Sequence, residues 1–237
     1  MIKNETLNQN LEIILNKNRQ NITPEDLGRV EGICFSKVDK TGEQSYTFDE
    51  LLSLPNLSRL TVTATFVTNE DIKTLGKLPN LKSLDFTRCV LADDIDYSEL
   101  STVEDLSISR SFINNYHSLS SATGLKSLVL FFPYNEDEAD LDINDISSEE
   151  TLEHLTLEGC DIANATSFSR FSKLKTLNLL STSVQHFDFI NYLNSLETIY
   201  VEPRYRNDEN LNRPNLNVQV SKIALAMDDV DGNKHLV

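Results

Sequence analysis

The chain contains little glycine, with seven glycines in 237 residues. Phosphate-cradling loops and nucleophile elbows depend on glycine, and the sequence has neither of these motifs and no HExxH zinc motif. These absences argue against the enzyme classes that carry the motifs. Long apolar runs are also missing. Within the first 21 residues the longest is Ile13–Leu15, which is far too short for a signal-peptide core or a membrane span.

Cysteine and basic residues are scarce as well. The three cysteines are an odd number and no export signal accompanies them, so we expect a reducing, cytoplasmic environment. Lysine and arginine number 21 against 37 aspartates and glutamates, which gives a formal net charge of −16. Because nucleic acids and anionic membranes repel such a chain, we expect neither as a partner. The same charge favours either solubility or a basic protein partner.

The sequence contains an internal repeat. Residues 152–173 and 174–195 are adjacent 22-residue blocks that match in residue type at eight positions. Each block opens with Leu-x-x-Leu-x-Leu, whose last four residues alternate as in a strand with one buried face. Apolar residues then recur at every third position, which indicates short 3₁₀ turns rather than a long helix. One block cannot bury its own apolar face, so at least about three blocks must stack.

The same pattern recurs along most of the chain. Strand patterns begin at Val30, Leu57, Leu81, Val103, Leu125, Leu152, Leu174 and Leu196. Spacings longer than 22 residues indicate insertions, which form loops in solenoids. A degenerate ninth strand is predicted at Val218–Val220. The predicted parts are an N-terminal helical cap at 1–29, a solenoid of about eight repeats plus the ninth strand at 30–220, and a C-terminal cap and tail at 221–237.

The blocks resemble the 22-residue class of leucine-rich repeats, best known from the bacterial internalins, over roughly residues 22–220. The resemblance implies an α/β repeat solenoid, a right-handed leucine-rich-repeat horseshoe with a parallel concave β-sheet and short helical or 3₁₀ convex segments. It also implies a non-enzymatic module, without cofactor or metal, that binds another protein on its concave face. The family fills the ninth repeat position with Asn or Cys, so Cys89 and Cys160 are expected to be buried. Cys34 falls on the outward row and is expected to be exposed.

The candidate partner-binding residues lie at outward positions of the strands and at the adjacent rim. Serine and threonine dominate the outward rows, and the apolar exceptions group in the C-terminal half. These exceptions are Val129, Phe131, Leu180 and Tyr200, with Phe132 and Tyr134 at the rim. Grouped exposed apolar residues mark an interface more often than scattered ones, although the insertion after Tyr134 could fold back over the rim pair. The polar candidates are Arg59, Asp85, Arg88, Asp105, Arg110, His154, Glu158, Asn178 and Glu202. The arginines could instead pair with Asp85 and Asp105 along a solvated edge.

The insertion of the fifth repeat is acidic. No basic residue lies between Lys126 and Arg170. The candidate acidic loop consists of Glu136, Asp137, Glu138 and Asp140. It is either a solvated loop or a steering patch for a cationic partner. The second interpretation supports an alternative function, an acidic inhibitor such as a bacterial immunity protein that neutralises a basic toxin or enzyme.

A second alternative function is a hydrolase that uses His154 and Glu158. The two residues lie four apart in one predicted strand. General acid–base catalysis needs a polar partner and a pocket, and a flat repeat surface rarely forms a pocket. The sequence therefore favours a binding protein over this enzyme.

Overall fold

The computed structural model describes residues 2–38, 42, 46–135, 139–184 and 186–221. These residues contain three α-helices: α1 (Glu5–Leu15), α2 (Pro24–Leu27) and α3 (Asn69–Leu75). Short 3₁₀ helices occupy Arg19–Asn21, Phe48–Ser53, Tyr97–Glu99, Tyr116–Ser121, Ile143–Asp145, Ala165–Arg170, Asp188–Tyr192, Pro203–Tyr205 and Glu209–Leu211. None of the described helices combines the length and the apolar character that a membrane span requires. The predicted acidic-loop residues Glu136, Asp137 and Glu138 lie outside the described residues, as do residues 222–237 of the predicted C-terminal cap.

Short strands alternate with these helices along the chain. They are β1 (Gly32–Phe35), β2 (Arg59–Thr63), β3 (Phe66–Val67), β4 (Ser83–Thr87), β5 (Val90–Leu91), β6 (Asp105–Ser109), β7 (Phe112–Ile113), β8 (Ser127–Phe131), β9 (Leu141–Asp142), β10 (His154–Glu158), β11 (Ile162–Ala163), β12 (Thr176–Asn178), β13 (Thr198–Val201) and β14 (Asn217–Val220). Nine of these described strands pair into one sheet in the order β1, β2, β4, β6, β8, β10, β12, β13, β14. All its pairings are parallel, and we call it the main sheet.

The register of the main sheet follows the repeat. Each strand pairs with the same positions of the next repeat, so that Leu155 lies opposite Leu128 and Leu177. The inward fourth position is at most 2% exposed in these three repeats. Burying one leucine this fully contributes about 1.5–3 kcal/mol relative to an exposed site. The predicted α/β repeat solenoid and its inward register are confirmed, with 3₁₀ helices between most strands.

The chain leaves the main-sheet strands through a repeated turn. The eighth repeat residue has a positive φ in six consecutive repeats of the described chain: Ala64, Arg88, Arg110, Phe132, Gly159 and Ser181. In five of these turns its amide donates to the seventh-position carbonyl of the next repeat, as Arg110 N does to Phe131 O at 2.8 Å. The ninth residue then points into the core, where Ser111 Oγ accepts from Cys89 N at 2.9 Å. A small polar residue at this position therefore satisfies backbone groups at the end of the strand.

The cysteines lie where the repeat positions predict. Cys89 and Cys160 are buried, and Cys34 is exposed. Burial raises the pKa of the Cys89 thiol to about 11 and that of Cys160 to about 12. The two buried thiols are therefore neutral at physiological pH and have a structural role.

A second row of short strands runs beside the main sheet. Strands β3, β5 and β7 form a three-stranded parallel sheet, which we call the rim sheet. Its outward residues lie in register, with Phe66 opposite Val90 and Val90 opposite Phe112. An isolated bridge adds Tyr134 beside Phe112. The sequence pattern did not predict this second row.

Helix α1 lies against the free edge of β1. Asn4 Nδ2 donates to Ser36 O at 2.7 Å, and Asn10 Nδ2 donates to Cys34 O at 2.8 Å. Leu7 of the same helix is fully buried. The helix therefore satisfies edge carbonyls that would otherwise offer a template for strand pairing.

Candidate partner-binding surfaces

The outward side of strands β8 to β13 forms the first candidate surface, which we call the C-terminal surface. Phe131, at the end of β8, is half-buried and packs edge-on against Phe132, with ring centroids 5.0 Å apart at 84°. The Arg110 guanidinium lies over the Phe131 ring, 5.8 Å from its centroid. Aromatic and cation–π contacts of this kind each contribute about 0.5–1.5 kcal/mol. The Phe131 ring is therefore held in place while part of it stays accessible.

Phe132 is positioned by the turn after β8. Its φ of 44° places it in the left-handed region, and a Cβ added to Gly159 would lie 2.5 Å from its ring atom Cδ1. Gly159 itself has a φ of 78°. The absence of a side chain at Gly159 therefore makes room for the Phe132 ring, which lies across the turn of the next repeat.

Glu158 differs from its prediction. It was expected on the exposed outward row, but it is only 8% exposed. It lies beside Phe131 in the strand register, and Asn178 Nδ2 donates to its Oε2 at 3.2 Å. Burial raises the pKa of the Glu158 carboxyl. The prediction of an exposed acid was wrong because side chains of both neighbouring strands flank it.

Leu180 also differs from its prediction. It was expected to project outward at the seventh position, but β12 ends at Asn178 and Leu180 is only 7% exposed. Asn178 Oδ1 accepts a hydrogen bond from Leu180 N at 3.0 Å. This local side-chain bond competes with the ladder and turns the backbone off the strand. Leu180 is therefore not part of the C-terminal surface.

The predicted apolar group is more spread out than the sequence suggested. Val129 and Tyr200 are both half-buried and belong to one outward row, but Thr156 and Asn178 lie between them in the register. Three strand spacings of about 4.8 Å separate them by roughly 14 Å. Glu202, just beyond β13, is half-buried and pairs with the adjacent Arg204 at 2.7 Å. The C-terminal surface is therefore a broad face with apolar ends rather than one cluster.

His154 and Glu158 do not meet. They occupy opposite ends of β10 on its outward side, and four residues of strand separate them by about 13 Å. His154 is exposed, whereas Glu158 is buried beside Asn178. The two side chains therefore cannot share a proton directly, and the geometry gives the hydrolase alternative no support. In the described part of the chain, no three His, Cys, Asp or Glu side chains are grouped to hold a metal ion.

The three candidate arginines are exposed. Within the described chain, no ion pair involves Arg59, Arg88 or Arg110. Asp85 is half-buried and accepts a bond from Thr87 Oγ1 at 3.2 Å, and Asp105 is exposed. The alternative prediction that the arginines pair with these two aspartates is therefore wrong.

Nearby lysines behave differently from the arginines. Lys82 and Lys126 both pair with Glu104, at 2.9 and 2.6 Å. Their hydrogen bonds lower the pKa of the Glu104 carboxyl to about 2. Other basic residues of this surface therefore do find carboxylate partners. The lack of an ion pair is specific to the positions of the three arginines.

Solved structures share this arrangement of parallel strands and short helices. An internalin, InlF, of Listeria monocytogenes has a TM-score of 0.62 at 18% identity, over 93% of this chain and 65% of its own. Internalin C2 of the same species has a TM-score of 0.62 at 16% identity, over 92% and 93%. TLR13, solved in complex with a single-stranded RNA, has a TM-score of 0.52 at 18% identity, over 85% and 34%. This chain has the leucine-rich-repeat fold. The present chain spans less than two thirds of the InlF structure.

Sequence identities of this size establish the fold alone. No protein-family model and no curated protein matches the sequence. What this leucine-rich-repeat protein binds therefore has to be inferred from its own surface residues.

The fifth leucine-rich repeat carries the acidic insertion. Asp140 is exposed, and the three preceding loop acids are outside the described residues. Tyr134, just before the insertion, is 50% exposed and stacks on Phe112 with centroids 5.2 Å apart. One alternative expected the insertion to fold back over Tyr134. The exposure of Tyr134 shows that this side chain is not covered.

Three exposed residues of the leucine-rich repeats were not predicted from the sequence. Phe66, Val90 and Phe112 are 38–42% exposed, and with Tyr134 they occupy the tenth position of four consecutive repeats. The signal was an apolar residue at one fixed position. It was overlooked because the outward rows were followed only to the seventh position, where the main-sheet strands end.

Proposed function

We propose that this chain is a non-enzymatic protein–protein interaction module that binds a protein partner on the outward face of the main sheet. The observation that carries the proposal is the C-terminal surface, where Phe131, Tyr200 and, in the adjacent turn, Phe132 are half-exposed. Serine and threonine are the commonest residues on the rest of the outward face. Aromatic residues held on rigid strands lose little side-chain entropy on binding and are enriched among binding hot spots.

The size of the face constrains the partner. Nine strands at about 4.8 Å spacing and about 16 Å length give a face of roughly 600 Å². A stable interface buries about 800 Å² on each partner. The partner therefore has to extend along most of the main sheet. It would contact His154 in the C-terminal half and also outward positions of the N-terminal half, such as Arg59 and Asp105.

The negative charge of the chain favours a protein over a nucleic acid as the partner. The formal net charge of −16 opposes binding to a phosphate backbone. The TLR13 relative was solved with a single-stranded RNA, so nucleic acid is an outcome that the experiment has to distinguish. Treatment of the sample with nuclease separates the two classes.

The test is an affinity pulldown from the lysate of the native organism. The wild type is compared with a Phe131→Ala, Tyr200→Ala double variant and with Tyr192→Ala. Tyr192 is the matched control, because it is an aromatic residue that is 66% exposed on a 3₁₀ helix away from the main sheet. We expect a nuclease-resistant partner that wild type and control retain and the double variant loses. Equal retention by all three would exclude the C-terminal surface.

An acidic inhibitor, such as an immunity protein for a basic toxin or enzyme, is the alternative form of the same activity. Asp140 supports it, because this acid is exposed and has no ion pair within the described chain. Neutralising the loop with Glu136→Gln, Asp137→Asn, Glu138→Gln and Asp140→Asn would then slow association strongly at low salt. If the partner binds only through the aromatic residues, the same quadruple variant leaves the association rate unchanged.

A further inference from the structure

The rim sheet exposes a continuous apolar row. We call Phe66, Val90, Phe112 and Tyr134 the rim ladder, and their exposed fractions are 41%, 42%, 38% and 50%. Backbone pairing holds the four residues in register across adjacent repeats. The Phe112 and Tyr134 rings stack at 5.2 Å with a tilt of 34°. Exposed apolar residues in a fixed row are unlike the scattered ones that every soluble protein shows.

The rim ladder has a basic flank on the side of the main sheet. Arg88 and Arg110 precede Val90 and Phe112 by two residues, and both are exposed at the positive-φ turns. Neither has an ion pair within the described chain, although the protein carries an excess of 16 negative charges. An L-residue in this conformation costs about 1–2 kcal/mol relative to the right-handed region. Two arginines are therefore held in unfavourable backbone positions without an internal carboxylate partner, and the contact of Arg110 is with the Phe131 ring.

The spacing of the ladder distinguishes between possible ligands. Adjacent rungs come from adjacent parallel strands and lie about 4.8 Å apart. Same-face residues of a helix at i, i+4 and i+7 recur about every 5.4 Å along its axis, which is close to that spacing. Same-face residues of an extended strand recur at about 6.6–6.8 Å and lose register within two rungs. A helix laid across the strands therefore fits the rungs better than an extended segment.

We propose that the rim ladder is a second docking surface, separate from the face of the main sheet, for an amphipathic α-helix whose acidic flank faces Arg88 and Arg110. The apolar face of the helix covers the four rungs, as in other helix-in-groove recognition. The two guanidinium groups pair with carboxylates of the partner helix. These carboxylates supply the negative charge that no described residue of this chain places beside Arg88 and Arg110. Asp93 and Asp94 are exposed beyond the far side of the ladder, so the opposite flank of the helix is not acidic.

The test uses three synthetic peptides and the full chain. The first is a helix of about four turns with leucines on one face, glutamates on one flank and glutamines elsewhere. The second has lysines in place of the glutamates, and the third is the first with its sequence scrambled to remove the apolar face. Fluorescence anisotropy measures the affinity of each for the wild type. We expect the acidic helix to bind at least about tenfold more tightly than either of the others.

Variants then locate the binding site. Phe112→Ala is expected to weaken binding of the acidic helix about tenfold, as for an aromatic hot spot. Arg88→Glu with Arg110→Glu is expected to reverse the preference toward the lysine peptide. Arg59→Glu is the matched control, because Arg59 is also exposed and unpaired but lies at the start of β2 and not beside the ladder. Circular dichroism of each variant confirms that the solenoid is intact.

Three outcomes would overturn the proposal. The first is no measurable binding of the acidic helix, or equal affinity for all three peptides. The second is loss of binding in the Phe131→Ala, Tyr200→Ala variant with Phe112→Ala unaffected, which would move the peptide to the main sheet. The third is concentration-dependent dimerisation of the wild type that Phe112→Ala abolishes, which would assign the ladder to a second copy of this chain.

Discussion

The N-terminal and C-terminal halves of the solenoid use the same turn with different side chains. In the N-terminal half the eighth repeat position holds Ala64, Arg88 and Arg110, and in the C-terminal half it holds Phe132, Gly159 and Ser181. All six have a positive φ, although only one is glycine. In five of the six turns a hydrogen bond to the next repeat supports this conformation, so the side chain at that position is free to set the surface chemistry. The result is two cationic side chains at this position in the N-terminal half and one aromatic side chain, Phe132, in the C-terminal half.

Core substitutions should affect both halves alike and have the largest effect. We expect Leu84→Ala and Leu155→Ala each to lower the free energy of unfolding by about 2–5 kcal/mol, because both leucines occupy the buried fourth position. Thr156→Ala, at the next position outward from Leu155, is the control and should cost under about 0.5 kcal/mol. Urea denaturation measures the three values. A cost below about 1 kcal/mol for either leucine would contradict the inward register.

Gly159→Ala should destabilise the C-terminal half specifically. A Cβ at this position meets both a φ of 78° and the Phe132 ring at 2.5 Å. We expect a loss of about 1–3 kcal/mol in the free energy of unfolding together with displacement of Phe132. The crystal structure and urea denaturation of the variant test the two effects. An unchanged Phe132 rotamer with unchanged stability would show that the turn is not tightly packed.

Glycine substitutions at the eighth repeat position of the N-terminal half should change the free energy of unfolding in the opposite direction to Gly159→Ala. Arg88→Gly and Arg110→Gly remove a conformational cost of about 1–2 kcal/mol and add a backbone entropy cost of about 0.5–1 kcal/mol. We expect Arg88→Gly to be neutral or stabilised by up to about 1 kcal/mol, and Arg110→Gly to gain less because it also loses the cation–π contact with Phe131. Thermal and urea unfolding measure both values. Arg59→Gly, in strand β2, is the control and should be destabilised by about 0.5–1 kcal/mol. Destabilisation of both turn variants would indicate that the arginines stabilise the fold directly.

Two glutamates should give opposite pH dependences. Burial raises the pKa of Glu158, so its ionised form destabilises the fold, and this penalty is absent below the unfolded pKa and appears as pH rises through the folded pKa. We therefore expect Glu158→Gln to stabilise the protein at neutral pH and to have no effect at pH values below about 4. The free energy of unfolding measured across this pH range provides the test.

Glu104 in the N-terminal half is the counterpart. Hydrogen bonds from Lys126 and Lys82 lower its pKa to about 2, so it stabilises the fold above its unfolded pKa and loses that contribution as pH falls toward 2. Glu104→Gln should destabilise the protein at neutral pH and lose that effect in acid. Because the carboxyl is partly exposed, the difference should also shrink at high salt. Parallel pH dependences for the two glutamine variants would contradict the assigned environments.

The fold could be predicted from the sequence because equivalent positions of each repeat have the same residue type and the same burial. Leu155 and Leu177 occur at one repeat position, and stacking identical units fixes their register in a parallel sheet. The burial of Cys89 and Cys160 followed from position in the same way. What periodicity cannot show is a contact between side chains of different strands. The burial of Glu158 depends on Phe131 and Asn178, which come from the neighbouring strands.

The candidate surfaces were predicted less completely for the same reason. Leu180 was expected to be exposed, but it is buried, and β12 ends before it, where Leu180 N donates to Asn178 Oδ1. The rim ladder was visible in principle, since its rungs share one repeat position. Its exposure, however, depends on β3, β5 and β7, whose two-residue strands leave no periodic signal of their own.

We propose that a partner protein lies on the outward face of the main sheet. Hydroxyl-radical footprinting of the complex with the captured partner tests it most directly, because aromatic side chains react readily when exposed. We expect Phe131 and Tyr200 to become protected while Tyr192, on the opposite layer, reacts as in the free protein. Protection of Tyr192 with Phe131 and Tyr200 unchanged would contradict the claim and place the partner on the side of the 3₁₀ helices.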